Sequence, residues 1–415
     1  MQLNEIEQSM LAGAMGEPRR RALEHQQKVG QFFDAPDMVE IAQAHIMADT
    51  EALGRANVEY LEQVAAYPEA DRLVAVPTIT DPRGADLKQY KVIRQAEAFI
   101  NLERRTTAAF QALGVMMTDT CINYQLFMPP VQGQNLAFGD TGVCIYSNSV
   151  LGARTNYEGG PSALAAALTG RTPRYGYHLD ECRRGTTLFE IQTQPQSLTD
   201  WGALGGIIGR EMRSYFEVPV INGIEKSPTS DALKHFGAAL ASFGSTPLFH
   251  MIGVTPEAPD LKSVFDGTPP QPISLKKTNI EEFYDDYGVP DDRLDVVVFA
   301  APQLSLVELQ SLAGMLDGRK VDTRISLLVC TAPAFKAEAD RMGLTEKITR
   351  AGALLLEGVC FYQMHAREMG VANQWQRLMT NSAKLTNIIS GYGYEPVLGT
   401  MEACVASAIA GRVVR

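Results

Sequence analysis

The stretch from Leu294 to Leu356 sets the tightest limit on the fold, because it repeats one pattern twice. Leu294-Asp295-Val296-Val297-Val298-Phe299 is an apolar run of strand length, and Ser305 with Glu308 makes a capping box that opens a helix bearing Leu306, Leu309, Leu312 and Leu316. Arg324-Ile325-Ser326-Leu327-Leu328-Val329 reads as a second strand, Pro333 opens a helix over Ala334 to Met342, and Ala353-Leu354-Leu355-Leu356 begins a third strand. Right-handed crossovers make strands in this order parallel, so their carboxyl ends share one edge of the sheet, where open α/β sheets bind ligands. That edge carries Ala300, Ala301, Cys330 and Cys360.

The rest of the chain is read around this unit. A length of 415 residues, 45% of them hydrophobic, exceeds one ordinary domain and predicts α/β lobes packed around a cleft. The expected division is an N-terminal part over 1–262, a connection over 263–290 marked by prolines and acidic residues, and a C-terminal α/β lobe over 291–415. Residues 5–54 and 88–113 read as helical, Val74-Ala75-Val76-Pro77 as a short strand, and the polar stretch 129–170 as ordered loops lining the cleft. Gly202, Gly205, Gly206 and Gly209 lack the spacing of a phosphate cradle and read as helix packing.

Charge and cysteine usage exclude several classes. A net charge of −11 without a concentrated basic face argues against nucleic-acid binding. Neither a secretory signal nor an apolar run of membrane-spanning length is present, so the expectation is a cytoplasmic protein with no membrane partner. Six cysteines without short paired spacings suggest reduced thiols, and the six histidines include no HExxH.

Several residue types suit chemistry, each with a plainer reading beside it. Cys330 and Cys360 end neighbouring predicted strands and suit a shared metal or simple packing. Cys121 lies in the polar stretch Thr118-Asp119-Thr120-Cys121-Ile122-Asn123. Asp140 and Thr141, between Gly139 and Gly142, suit either a substrate anchor with proton transfer or an ordinary turn. Arg154 suits a substrate carboxylate or an internal network, and Lys384 suits a carboxylate binder, a general base or a solvated surface group.

Ser147-Asn148-Ser149-Val150-Leu151-Gly152-Ala153-Arg154-Thr155-Asn156 with Glu158-Gly159-Gly160, then Gly170-Arg171-Thr172-Pro173, Tyr175-Gly176-Tyr177-His178-Leu179, Gly253-Val254-Thr255-Pro256-Glu257-Ala258 and Thr380-Asn381-Ser382-Ala383-Lys384 follow one another in order. On these motifs the chain resembles the aconitase X family along nearly its whole length. The resemblance implies an aconitase-like fold, an iron-sulfur cluster held by cysteines, dehydration of a small hydroxy acid, and a separate small swivelling-domain subunit as partner. It matches Cys121 and Cys360 to cluster ligands and Lys384 to a substrate lysine, and sets Asp140-Thr141 where many members have Glu-Ser. Lys384, Asp140 and Thr141 are thus the expected catalytic residues, and Asn148, Arg154, Asp81 and Ser382 the expected substrate-binding ones. Ala301 stands where cluster-binding members carry cysteine, and Cys330, which ends the predicted strand beside the one carrying Cys360, is the candidate third ligand. The family's substrates are cis-3-hydroxy-L-proline and mevalonate 5-phosphate, and the acidic side chains of Asp49 and Asp81 favour the first by repelling phosphate. The alternatives are the phosphorylated substrate, or a cluster-free member serving as a binding or regulatory subunit.

Overall fold

The computed structural model describes residues 1–414. Among them the strands form four sheets. The strand run singled out above builds a five-stranded parallel sheet in the order Leu354–Glu357, Ser326–Thr331, Val296–Leu304, Arg377–Thr380, Glu395–Leu398. A second parallel sheet has the order His250–Met251, Pro219–Asn222, Thr187–Ile191, Ile273–Leu275. A third, of three parallel strands, places Ala44–Ile46 between Thr78–Thr80 and Ala137–Phe138. Met38–Glu40 pairs with Arg171–Pro173 as an antiparallel ribbon. The α/β class with parallel sheets is therefore observed. The segment read as a connection carries a strand of the second sheet and the helix Lys277–Asp286, whose Tyr284 hydroxyl donates to Asp200 at 2.9 Å.

Local boundaries differ from the sequence reading for identifiable reasons. Residues 5–54 are not one helical region: Gly13 and Gly16 have positive φ and separate Glu5–Leu11 from Glu17–Phe32, and two strands precede the next helix at Thr50. The strand expected at Val74 to Pro77 lies at Thr78–Thr80, immediately past the proline. The second predicted helix starts only at Glu97. Within 129–170, expected as loops, stand the helices Thr141–Ser149 and Gly160–Thr169, the first capped by Asp140. The capping box at Ser305 forms as expected, with Glu308 N 3.2 Å from Ser305 Oγ and Ser305 N 2.8 Å from Glu308 Oε2. The glycines of Leu198–Glu211 do serve packing, since a Cβ on Gly205 would lie 2.2 Å from the Phe236 carbonyl oxygen. No helix among the described residues is long and apolar enough to cross a membrane.

A buried charge group joins the lobes of the five-stranded sheet and the second sheet. Lys234 is wholly enclosed, contacts Glu308, lies 3.1 Å from Asp231, and donates to the Gln303 carbonyl at 3.2 Å. His235 meets the other Glu308 oxygen at 2.7 Å. Burial opposes ionisation of Glu308, but Lys234 and His235 more than offset it and hold the carboxyl far below its ordinary range. Because removal of one partner strands a buried charge, Glu308→Ala should lower unfolding free energy by about 3–5 kcal/mol, read from urea melts at neutral pH. With a depressed folded-state pKa, the contribution of Glu308 should be complete above the unfolded glutamate value of about 4.3 and decline as pH falls below it.

Candidate active site

The site is assembled from loops that leave parallel strands. Lys384 stands in the first turn of Ala383–Ile389, a helix whose cap, Ser382, accepts from Leu385 N at 3.1 Å. Asp140 caps Thr141–Ser149 by accepting from Val143 N at 3.0 Å through Oδ2, which leaves Oδ1 facing Lys384. The Lys384 Nζ is 3.5 Å from Asp140 Oδ1, 3.4 Å from Thr141 Oγ1 and 5.5 Å from the centre of the Tyr362 ring. Burial opposes charge on Lys384, yet Asp140, helped by Cys121, Cys360 and Asp81, more than compensates and raises its pKa. The lysine is thus a buried ammonium whose charge is supported chiefly by Asp140.

Asp81 follows the strand Thr78–Thr80 and is fully buried. Its Oδ2 accepts from Gln363 Nε2 at 2.6 Å, and the same amide nitrogen reaches Asp49 Oδ2 at 3.3 Å. Asp49 also caps Thr50–Ala65 by accepting from Ala52 N at 2.7 Å. Desolvation pushes the Asp49 carboxyl up to about 7, and burial, reinforced by Asp140, raises Asp81 well above the carboxylate range. His45 donates through Nε2 to the Thr120 carbonyl at 3.2 Å and lies 3.6 Å from Asp81; burial lowers its pKa, so the ring is neutral.

Cys121 and Cys360 face each other. Interaction with the neighbouring Cys360, followed by burial, raises the Cys121 pKa well above that of a free thiol. Their two loops are tied by Gln303, which the sequence reading passed over. Thr120 Oγ1 donates to Gln303 Oε1 at 2.8 Å, the Gln303 amide donates to the carbonyls of Asp119 at 3.2 Å and Val359 at 3.1 Å, and its backbone N–H points at Cys121 Sγ at 3.5 Å.

Other expected residues lie elsewhere or are committed to the scaffold. Cys330 sits in the apolar cluster with Ala300, Ala301, Leu356 and Val359, its pKa raised chiefly by burial. Ser382 donates to the Ala301 carbonyl as well as capping its helix. Asn148 spends its amide on the carbonyls of Thr155 at 2.9 Å and Pro247 at 2.8 Å, and accepts from Thr155 N at 2.9 Å. Arg154 pairs with Asp180 and donates to the His178 carbonyl at 3.0 Å, beside a separate cavity of about 330 Å³. Gln303, Gln363, His45 and Tyr362 were missed. The one local signal was the position of Tyr362 and Gln363 just after Cys360.

The donor set does not fit a cluster held by three cysteines. Two thiols meet, position 301 is alanine, and among the described residues no three His, Cys, Asp or Glu side chains converge as metal ligands would.

Comparison with known proteins adds the family. Sequence models of the aconitase X first, second and third domains match residues 1–181, 185–285 and 294–410. The chain is 34% identical over 390 residues to the phosphomevalonate dehydratase large subunit of Methanothermobacter thermautotrophicus, covering 94% of each. It is 30% identical to the cis-3-hydroxy-L-proline dehydratase of Pseudomonas aeruginosa over 99% of this chain and 70% of that one. The crystal structure of Thermococcus kodakaraensis aconitase X in its holo-form superposes with a TM-score of 0.87 at 27% identity, over 98% of this chain and all of that one. With three domain matches in order and such relatives along its length, the chain belongs to the aconitase X family and is a carbon-oxygen hydro-lyase.

Proposed function

We propose that this chain is the large, catalytic subunit of a dehydratase that removes water from cis-3-hydroxy-L-proline and works with a separate small subunit. The observation that carries the reading is Lys384, a buried ammonium paired with Asp140 among thiols and further carboxyls. A substrate carboxylate would be drawn to that ammonium, which would offset the negative charge that develops when the α proton leaves. Asp140, beside Lys384, is the proposed acceptor of that proton. The electrons of the Cα–H bond form the Cα=Cβ double bond as the Cβ–O bond breaks. Tyr362, kept as a phenol chiefly by burial, is the proposed proton donor to the departing hydroxyl, which leaves as water. Thr141 is the proposed hydroxyl partner of the bound carboxylate.

The name of the relatives supports a separate small subunit: the chain covers 94% of a protein named as a large subunit. For substrate, the carboxyls of Asp49 and Asp81 disfavour phosphate in the same enclosure. A second reading, mevalonate 5-phosphate dehydration, draws support from the 34% identity with the M. thermautotrophicus large subunit.

Assays of the reconstituted two-subunit complex decide between them. Turnover of cis-3-hydroxy-L-proline is expected, and turnover of mevalonate 5-phosphate alone would reverse the assignment. Lys384→Met should lower kcat/KM by about three orders of magnitude or more, through loss of a charge-assisted contact and of charge stabilisation; unchanged activity would remove Lys384 from the mechanism. Asp140→Asn retains an acceptor for Val143 N but leaves the buried Lys384 ammonium without its carboxylate, so the melting point should fall and kcat should drop by about 10²–10⁴. Asp140→Ala should lose the same activity and also about 1 kcal/mol of helix capping.

A further inference from the structure

We propose that Asp49, Asp81 and Gln363 form a recognition site for the ammonium group of the substrate, so that the substrate class is a hydroxylated amino acid. The proposal rests on the dehydratase reading and deepens it. Gln363 Nε2 donates to Asp81 Oδ2 at 2.6 Å and to Asp49 Oδ2 at 3.3 Å, which turns its Oε1 away from both carboxyls. That Oε1 has no donor, and neither does Asp81 Oδ1. His45 Nε2, 3.6 Å from Asp81 Oδ1, points its proton at the Thr120 carbonyl instead. Gln363 is 3% exposed, Asp49 1% and Asp81 0%, so bulk solvent does not reach them. Two buried acceptors, one on Asp81 and one on the Gln363 amide bonded to it, therefore stand without donors, and among the described residues neither Asp49 nor Asp81 makes an ion pair with lysine or arginine.

The secondary ammonium of a cyclic amino acid carries two N–H donors and one positive charge. Its donors suit Asp81 Oδ1 and Gln363 Oε1, and its charge suits the carboxyls. A phosphate brings only acceptors and negative charge. A divalent cation is also poorly served, because the Gln363 amide occupies one oxygen of each carboxyl and Ala52 N occupies the other oxygen of Asp49, leaving one free where hard cations take six or more ligands. Asp81 N donates to the Ile46 carbonyl and Gly139 N to the His45 carbonyl, each at 2.9 Å, so Asp81 and Asp140, the partner of Lys384, leave neighbouring strand ends of one sheet. An α-amino acid presents its carboxylate and ammonium on one carbon and needs such a pair.

The test is calorimetric titration of the reconstituted complex with L-proline and with tetrahydrofuran-2-carboxylate, which replaces the ring N–H₂⁺ by oxygen. Proline should bind at least about thirty-fold more tightly, the scale of a lost charged hydrogen bond, and equally well with EDTA present. Asp81→Asn should weaken proline by about thirty-fold and leave the oxygen analogue within about three-fold, and Asp49→Asn should act in the same direction. Equal affinities in the unmodified complex, no binding of proline, or a requirement for metal overturns the proposal without depending on how any variant folds. A complex that discriminates the two ligands but dehydrates no hydroxy amino acid keeps this site and loses the dehydratase reading. One that dehydrates cis-3-hydroxy-L-proline while binding both ligands alike does the reverse.

Discussion

A single buried amide, that of Gln303, holds together the parts on which the candidate site is built. Its side chain joins the Asp119-Thr120 loop of the three-stranded sheet to the loop before Cys360, while its carbonyl accepts from Lys234 in the second lobe. All three α/β units therefore meet at one residue near the end of the central strand Val296–Leu304. Loss of its amide nitrogen would take a donor from the carbonyls of Asp119 and Val359, and loss of its oxygen would take the acceptor from the Thr120 hydroxyl, so the neighbouring loops have little freedom to drift. Cys121 is positioned by the same residue, through its backbone N–H.

Around this tie the electrostatics are unusual for a structural core. Asp49, Asp81 and Asp140 come within interaction range of Lys384 or of one another, and burial pushes Asp49 and Asp81 toward their neutral forms. Such groups contribute little to stability when unpaired, because desolvation cancels what Coulomb attraction returns. Their concentration beside one ammonium is therefore better explained by a charged ligand than by folding. The buried group at Glu308 shows the contrast: Lys234 and His235 hold its carboxyl ionised, and it joins lobes.

The fold class was legible because strand-length apolar runs alternated with capped helices between 294 and 356, and that pattern depends on neighbours in sequence. The stretch 129–170 was misread as loops because its short polar residues, which favour turns in isolation, here cap and fill the buried helix Thr141–Ser149. At the site, Lys384, Asp140 and Cys121 were candidates by residue type, each with a plainer reading beside it, and only the family motifs gave them roles. Gln303, Gln363 and His45 did not stand out, since the hydrogen-bond partners named above lie far off in sequence, from 56 residues between Gln303 and Val359 to 314 between Gln363 and Asp49. Asn148, Ser382 and Arg154 looked equally chemical in sequence, yet their polar atoms are bound to backbone carbonyls or to Asp180. Polar density in a motif thus marked the scaffold as often as the chamber.

The most direct test of the account is a crystal structure of the two-subunit complex with L-proline bound. The account predicts the carboxylate within hydrogen-bonding distance of Lys384 Nζ and the ring nitrogen between Asp81 Oδ1 and Gln363 Oε1. Proline bound away from this enclosure, or seated with its carboxylate toward Asp49 and Asp81, would contradict it.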